Sequence, residues 1–287
     1  MPERRYYSVR TGRNPEGAQL ALPSLLRLFL AVYCDFERKD YLQEAFGYNC
    51  VDAGDVPGKI GIDIEAYFLL KLRKDNLWPI KDRYQKYTED DLFDVIEFLH
   101  DHISKPIEGY YHSYGDCGFH YHTFDQHEGQ TEYRKEINQL LIDYGDGYEL
   151  SREGEILNLV TPGTELIFKA ELPEYSKENI EDRVKAAIYK FRRSRFSLED
   201  KRDAIRTLVD CLEFLRPRMK EVLTRSDESD LFNIANNFGI RHHNKKQKTE
   251  YDQSVWLNWM FYYYLSTVHA VTRLLTKKDE NTANTLH

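Results

Sequence analysis

One short segment of the sequence, FGIRHHNKKQ, concentrates groups that can perform acid-base chemistry on a phosphate. Arg241 has a permanently charged, planar guanidinium that suits phosphate oxygens. His242 and His243 carry imidazoles that titrate near pH ~6.5, so each can give or take a proton at neutral pH. Asn244 and Gln247 add neutral hydrogen-bonding groups. These residue types allow a catalytic or binding loop, although by themselves they are more typical of the solvated basic end of a helix.

These groups supply most of what cleavage of RNA without a metal requires. One group, an acid, is missing. One imidazole would deprotonate a ribose 2′-hydroxyl, which attacks the adjacent phosphodiester while Arg241 offsets the charge of the transition state. An acid must also protonate the leaving 5′-oxygen, and the adjacent side chains of His242 and His243 generally point in different directions. A symmetry-related subunit could supply that acid if the loop lies at a two-fold interface.

A second group of chemistry-bearing residues lies in the segment YYHSYGDCGFHYHTFDQHEG. His112, Cys117, His120 and His122 offer imidazole and thiol ligands, and the spacing of Cys117 and His120 suits a pair of zinc ligands. However, GFHYHTF alternates like a strand, and structural zinc sites usually consist of two close pairs. The sequence therefore favours a chain without a metal or other cofactor, with zinc at these residues as the alternative.

The composition indicates a folded chain in which regular elements position these groups. Apolar residues make up 41% and charged residues 31% of the 287 residues, and the 21 Tyr and 15 Phe exclude a disordered chain. No apolar run reaches the ~18 residues of a membrane helix, and the start, MPERRYYSVR, has no apolar segment behind its charges. The four cysteines are scattered, without a Cys-x-x-Cys pair. We therefore expect a soluble, cytoplasmic protein with reduced thiols and no membrane contact.

Turn residues and charge predict two domains. Pro162, Gly163 and Pro173 interrupt helix on both sides of residue 170, which divides the chain into residues 1–170 and 171–287. The first part holds 19 Lys+Arg against 30 Asp+Glu, a net charge of −11, whereas the second holds 21 against 18, or +3. The C-terminal domain is therefore the better candidate for a local contact with a phosphate backbone.

The N-terminal domain is predicted to be rich in helices and to contain a small β-hairpin. LPSLLRLFLAVYCDF and TEDDLFDVIEFLHDHI have apolar residues at helical spacing, and Thr88 with Asp91 forms a plausible cap for the second helix. A helix over about 132–144 precedes two short strands, Tyr148–Leu150 and Glu155–Leu159. This order resembles a winged-helix element, and a hairpin that only packs against its own helix is the alternative.

The C-terminal domain is predicted to be a four-helix bundle, which makes the fold mostly α. KENIEDRVKAAIYKFRRSR and SLEDKRDAIRTLVDCLEFLRPRMKEVL form the first two helices, the second capped by Ser197. ESDLFNIANNFGI forms the third helix, which Gly239 ends. SVWLNWMFYYYLSTVHAVTRLL forms the fourth, and its aromatic residues cover more than one face, so we expect burial by several neighbours or by a second subunit. The polar tail TKKDENTANTLH is expected to fray.

Three segments of this domain resemble the HEPN-superfamily domain of AbiJ-like abortive-infection proteins: DKRDAIRTLVDCLEFLRP, DLFNIANNFGIRHHNKKQKTEYD and WLNWMFYYYLSTVHAV. The resemblance implies a helical bundle that forms a homodimer and a role in bacterial defence against phage. It also implies metal-independent endoribonuclease activity on RNA, with transfer RNA as one candidate substrate. The N-terminal domain is similar to the variable modules fused to such bundles, for which sensing is one role.

In active members of this superfamily, the motif arginine is followed a few residues later by a histidine. Arg241 and His242 match the first two positions of the motif, whereas Lys246, Gln247 and Lys248 occupy the places where the second histidine belongs. This departure keeps an alternative open, namely a non-catalytic HEPN-fold module that binds RNA or protein as a sensor or antitoxin-like partner.

Other residues have supporting roles in this interpretation. By the resemblance, Glu213 matches an acidic helix position that hydrogen-bonds the motif arginine, and an ordinary exposed helix charge is the alternative. Arg192 and Arg193 lie in the basic run KFRRSR, where cations also suit the end of a helix. Together with Lys245 and Lys246, they are candidates for contacts to an RNA backbone.

Overall fold

The computed structural model describes most of the chain, namely residues 6–13, 19–160, 163–193, 198–238, 240 and 252–285. The chain divides into two compact units, Met1–Leu159 and Val160–His287. The described residues are mostly helical and add three separate two-stranded antiparallel sheets, which confirms the predicted mostly α fold class. Within the described residues, every helix falls short of the length or the apolar character that crossing a bilayer demands.

The N-terminal unit combines three hairpins with helices of very different length. Its described helices are α1 (Tyr7–Arg10), α2 (Leu22–Arg38), α3 (Gln43–Phe46), α4 (Ile64–Leu72), α5 (Ile80–Arg83), α6 (Glu89–His102) and α7 (Gln126–Leu141). Its strands pair in sequence order as β1 (Tyr48–Cys50) with β2 (Gly54–Val56), β3 (Lys105–His112) with β4 (Gly118–Asp125), and β5 (Tyr148–Leu150) with β6 (Ile156–Asn158). The β3–β4 ladder is the longest and runs from Lys105 opposite Asp125 to His112 opposite Gly118.

The hydrophobic core of this unit is formed mainly by α2, α6 and α7. α2 repeats apolar residues at helical spacing and buries one face, and α7 packs against both other helices. Burying each large apolar side chain contributes about 1.5–3 kcal/mol to stability. The largest fully buried side chains include Phe29, Phe68, Ile96, Tyr133 and Ile137.

Two local predictions for the N-terminal unit are confirmed. α6 begins with a capping box, in which the Thr88 side chain accepts from the Asp91 amide and the Asp91 side chain accepts from the Thr88 amide. The predicted hairpin forms as β5 and β6. Asn138 on α7 holds this hairpin, because its Oδ1 accepts from the Leu150 amide at 2.6 Å and its Nδ2 donates to the Leu150 carbonyl at 3.2 Å. The hairpin therefore packs against the helix that precedes it.

In the C-terminal unit, long helices pack around α10. Its described helices are α8 (Glu165–Lys169), α9 (Asp182–Arg192), α10 (Leu198–Met219), α11 (Arg225–Asn237) and α12 (Gln253–Thr285), and a π-helical turn over Lys177–Glu181 leads into α9. α10 contacts both α9 and α12. The packed face of α10 and α12 is fully buried at Leu208, Leu212, Leu257, Phe261 and Leu265.

The ends of α11 and α12 differ from the sequence-based expectation. α11 begins at Arg225, one turn before the predicted start, because Thr224 and Asp227 form a second capping box. α12 continues through Thr285 and includes most of the tail that was expected to fray. The extension is held to α10 by Arg218, whose guanidinium donates to both carboxylate oxygens of Asp279 at 2.7 and 3.1 Å. The predicted cap and stop residues at positions 197 and 239 lie outside the described residues.

Candidate functional site

The central predicted site lies in residues 241–251, here called the Arg-His segment, which lie between α11 and α12 in the sequence. Seven of its predicted site residues lie outside the described residues: Arg241, His242, His243, Asn244, Lys245, Lys246 and Gln247. The residues on either side of the segment, Ile240 and Asp252, are described, so the positions of its neighbours in the bundle are known.

Both flanks of this segment are bound by cations of α10. The Arg206 Nε donates to the carbonyl of Ile240 at 3.0 Å, directly before the segment. One turn earlier on α10, Arg202 donates to the Gln253 side chain at 2.9 Å, at the first residue of α12. Since residues four apart lie on the same face of a helix, one face of α10 contacts Ile240 before the segment and Gln253 after it.

Neighbouring charges at this end of the bundle are partly balanced. Asp203 accepts from Arg206 at 2.5 Å and from Lys190 at 3.1 Å. Lys201 donates to the Asn258 side chain at 2.9 Å, and burial lowers the pKa of its ammonium below the ordinary value. Arg202 also lies 3.4 Å from a carboxylate oxygen of Glu199, so the charges of these cations are partly neutralised.

A row of aromatic side chains starts beside the same segment. The ring of Phe238, at the end of α11, stacks on Trp256 with a centroid distance of 5.6 Å. Trp256 meets Trp259 edge-on at 5.4 Å, and Trp259 stacks on Tyr263 at 5.4 Å. Trp256 and Trp259 are 40% and 42% exposed, so the expectation that several neighbours bury this helix does not hold for these two residues within the single chain.

The other predicted site residues of the C-terminal unit lie on neighbouring helices. Glu213 is on α10, two turns beyond Arg206, and its carboxylate lies 3.7 Å from the Arg216 guanidinium. Arg192 is the last residue of α9 and Arg193 follows it with an exposed side chain, as expected for a basic helix end. The structure therefore places this carboxylate on α10 and the two arginines at the end of α9.

A second cluster, in the N-terminal unit, brings together the side chains of Cys50, His112, Cys117 and His120. One ligand atom from each residue lies within 4.8 Å of all the others. Cys50 ends β1, His112 ends β3, and Cys117 directly precedes β4, which contains His120. The β3–β4 hairpin thus supplies three of the four groups, and β1 supplies the fourth.

Within the cluster, each sulfur lies close to one imidazole nitrogen. The Cys117 Sγ is 3.1 Å from the His120 Nε2, and the Cys50 Sγ is 3.8 Å from the His112 Nδ1. His120 is only 3% exposed, and Cys50 only 6%. His122, which the sequence grouped with these residues, is exposed and contacts its neighbour Thr123 instead.

The outer nitrogen of each histidine also has a polar neighbour. The His112 Nε2 lies 3.2 Å from an Asp52 carboxylate oxygen, and the His120 Nδ1 lies 3.1 Å from the Tyr110 hydroxyl. The Tyr48 ring packs on the His120 imidazole at a centroid distance of 4.2 Å. These contacts orient both imidazoles with their inner nitrogens toward the sulfur atoms.

The two thiols have different electrostatic environments. Hydrogen bonds from the backbone amides of Ala53 and Asp52 lower the pKa of the Cys50 thiol. Burial raises the pKa of Cys117, although the Val51 amide partly opposes this effect. The surroundings of Cys50 thus favour the thiolate, the form in which cysteine binds metals, whereas those of Cys117 favour the thiol.

Sequence spacing identified three of these four residues and missed Cys50. Cys50 lies 62 positions before His112, and no short motif connects the two. Only the pairing of β1 with β2 and the packing of that hairpin near β3 and β4 bring Cys50 to the histidines.

Comparisons of the chain with protein families, with curated proteins and with solved structures returned no match.

Proposed function

We propose that this chain is a bacterial anti-phage protein whose C-terminal unit is a HEPN-like bundle that cleaves RNA without a metal ion. The observation that carries the proposal is that Arg206 and Arg202, on one face of α10, bind the residues on either side of the Arg-His segment, Ile240 and Gln253. A loop with fixed ends on a rigid scaffold is a common carrier of catalytic groups.

The proposed chemistry assigns a role to each group of the segment. His242 or His243 removes the proton of the ribose 2′-hydroxyl, and Arg241 stabilises the charge that develops on the phosphate. Asn244 and Gln247 hydrogen-bond the substrate. The acid for the leaving oxygen comes from the loop of a second subunit in a homodimer.

Exposed aromatic side chains next to the segment support RNA as the substrate class. Stacking of a base on an aromatic ring contributes about 1–3 kcal/mol and tolerates any base. Trp256, in the first turn of α12, is 40% exposed, and Arg202 of α10 binds Gln253 in the same turn. A single RNA strand that crosses this end of the bundle would meet both stacking surfaces and cations.

A second candidate function is a non-catalytic module that binds RNA or protein as a sensor or antitoxin-like partner. It is favoured by one observation, the presence of Lys246, Gln247 and Lys248 where the second motif histidine belongs. This candidate uses the same surface and predicts binding without products.

The two candidates are separated by incubating the full-length protein with end-labelled transfer RNA and an unstructured oligoribonucleotide in buffer without divalent ions. We expect cleavage by the wild type and its loss in Arg241→Ala and His242→Ala. Matched controls are Arg38→Ala and His122→Ala, which remove an exposed arginine and an exposed histidine of the N-terminal unit.

Each outcome of this assay decides between the candidates. Equal cleavage by the wild type and both loop variants would refute the catalytic assignment. RNA binding that depends on Arg241, with no products under any condition, would instead establish the second candidate. If the protein neither binds nor cleaves RNA, RNA is not its target.

A further inference from the structure

We infer that Cys50, His112, Cys117 and His120 form a structural zinc site in the N-terminal unit. The inference concerns a different unit from the proposed ribonuclease site and does not depend on RNA being the substrate.

The spacing of the four donors fits a tetrahedral zinc ion. Zinc binds histidine nitrogen at ~2.0–2.1 Å and cysteine sulfur at ~2.3 Å, so tetrahedral ligands lie roughly 3.3–3.8 Å apart. Two sulfur–nitrogen pairs of the cluster are 3.1 and 3.8 Å apart, and all four ligand atoms lie within 4.8 Å of one another. Small side-chain rotations are enough to place all four donors around one ion.

The outer nitrogen of each histidine has an oxygen neighbour that can accept its N–H. A ligating imidazole binds through one nitrogen and usually donates its other N–H to a carboxylate, carbonyl or hydroxyl oxygen. Asp52 lies at that outer position for His112, at 3.2 Å, and Tyr110 for His120, at 3.1 Å. With both outer nitrogens protonated, the inner nitrogens present lone pairs toward the two sulfur atoms.

The choice of zinc follows from the donor set. Two sulfur and two nitrogen donors suit zinc, whereas magnesium and calcium prefer oxygen. All four positions of the tetrahedron come from the protein, which is the arrangement of structural sites rather than catalytic ones. Asp52 contacts His112 from outside the cluster. It therefore orients the His112 imidazole and is not a fifth ligand of the zinc ion.

The local fold gives the ion a structural role. β1 and β2 have only three residues each, and a two-stranded hairpin is marginally stable by itself in water. β3 has few buried side chains, since residues 107–111 are all exposed. An ion that joins Cys50 of the first hairpin to both strands of the second would therefore replace part of a missing hydrophobic core.

The test is the metal content of the full-length protein purified without chelators, measured by inductively coupled plasma mass spectrometry. We expect about one zinc per chain in the wild type, and a loss of most of it in Cys50→Ser and His120→Asn. Cys34→Ser and His122→Asn are matched controls that should retain zinc, because both residues lie outside the cluster.

A second measurement is independent of whether the cluster variants fold. The wild-type protein, stripped of metal and titrated with cobalt(II), should show the intense visible bands of a tetrahedral site with two thiolates and should saturate at about one equivalent. Absence of zinc in the purified wild type together with absence of these bands would overturn the inference. Full zinc occupancy in both cluster variants would overturn it equally.

Discussion

At the scale of single residues, His269 shows how burial controls protonation in the C-terminal unit. This side chain of α12 is only 5% exposed, and its Nδ1 has no hydrogen-bond partner among the described residues. Burial lowers the pKa of the His269 imidazole, and the positive charge of Arg273 lowers it further. His269 is therefore neutral in the folded protein at pH values where the unfolded chain is already protonated.

This difference predicts a loss of stability in mild acid. Because the unfolded state binds the additional proton, the free energy of unfolding falls as the pH drops below about 6.5, the ordinary histidine value, toward the lower folded pKa. Chemical denaturation at pH 5.5 and pH 7 checks this expectation. The drop in stability between the two pH values should be smaller in His269→Leu, which keeps the apolar contacts and removes the titrating group. An equal drop in wild type and variant would show that His269 is not the source.

At the scale of elements, sequence separation determines what could be predicted. Thr88 and Asp91 form their capping box across three residues, so a local pattern was enough to predict it. The end of α12 was mispredicted because its polar tail is held by Arg218 of α10, which is 61 positions from Asp279. Cys50 was missed for the same reason, because its partner His112 lies on another hairpin. Contacts of this kind depend on tertiary packing, which the spacing of neighbouring residues in the sequence does not reveal.

The Arg218–Asp279 contact predicts the behaviour of the last turns of α12. Arg218→Ala removes both guanidinium hydrogen bonds to Asp279, so residues 276–283 should open more often and exchange their amide hydrogens a few-fold faster. Hydrogen–deuterium exchange with mass spectrometry measures this change. Lys277→Ala, an exposed substitution in the same turns, is the control and should leave the exchange rate of this segment nearly unchanged.

At the scale of the whole molecule, the division after Leu159 preserves the charge asymmetry seen in the sequence. Met1–Leu159 holds 18 Lys+Arg against 29 Asp+Glu, or −11, and Val160–His287 holds 22 against 19, or +3. An acidic unit repels a phosphate backbone, so the proposed RNA contact belongs to the C-terminal unit, whereas the proposed zinc site lies in the acidic unit. The modest positive charge of the C-terminal unit agrees with a local contact at one end of its bundle.

The most direct test of the ribonuclease proposal is the chemistry of the RNA ends that the full-length protein produces. Attack by a ribose 2′-hydroxyl leaves a 2′,3′-cyclic phosphate and a 5′-hydroxyl, and mass spectrometry of a short oligoribonucleotide identifies both ends. We predict these ends in buffer without divalent ions, at unchanged zinc content of the protein, and no cut at a nucleotide that carries a 2′-deoxy substitution. Cleavage that leaves 5′-phosphates, or that persists at the 2′-deoxy nucleotide, would contradict the proposed mechanism.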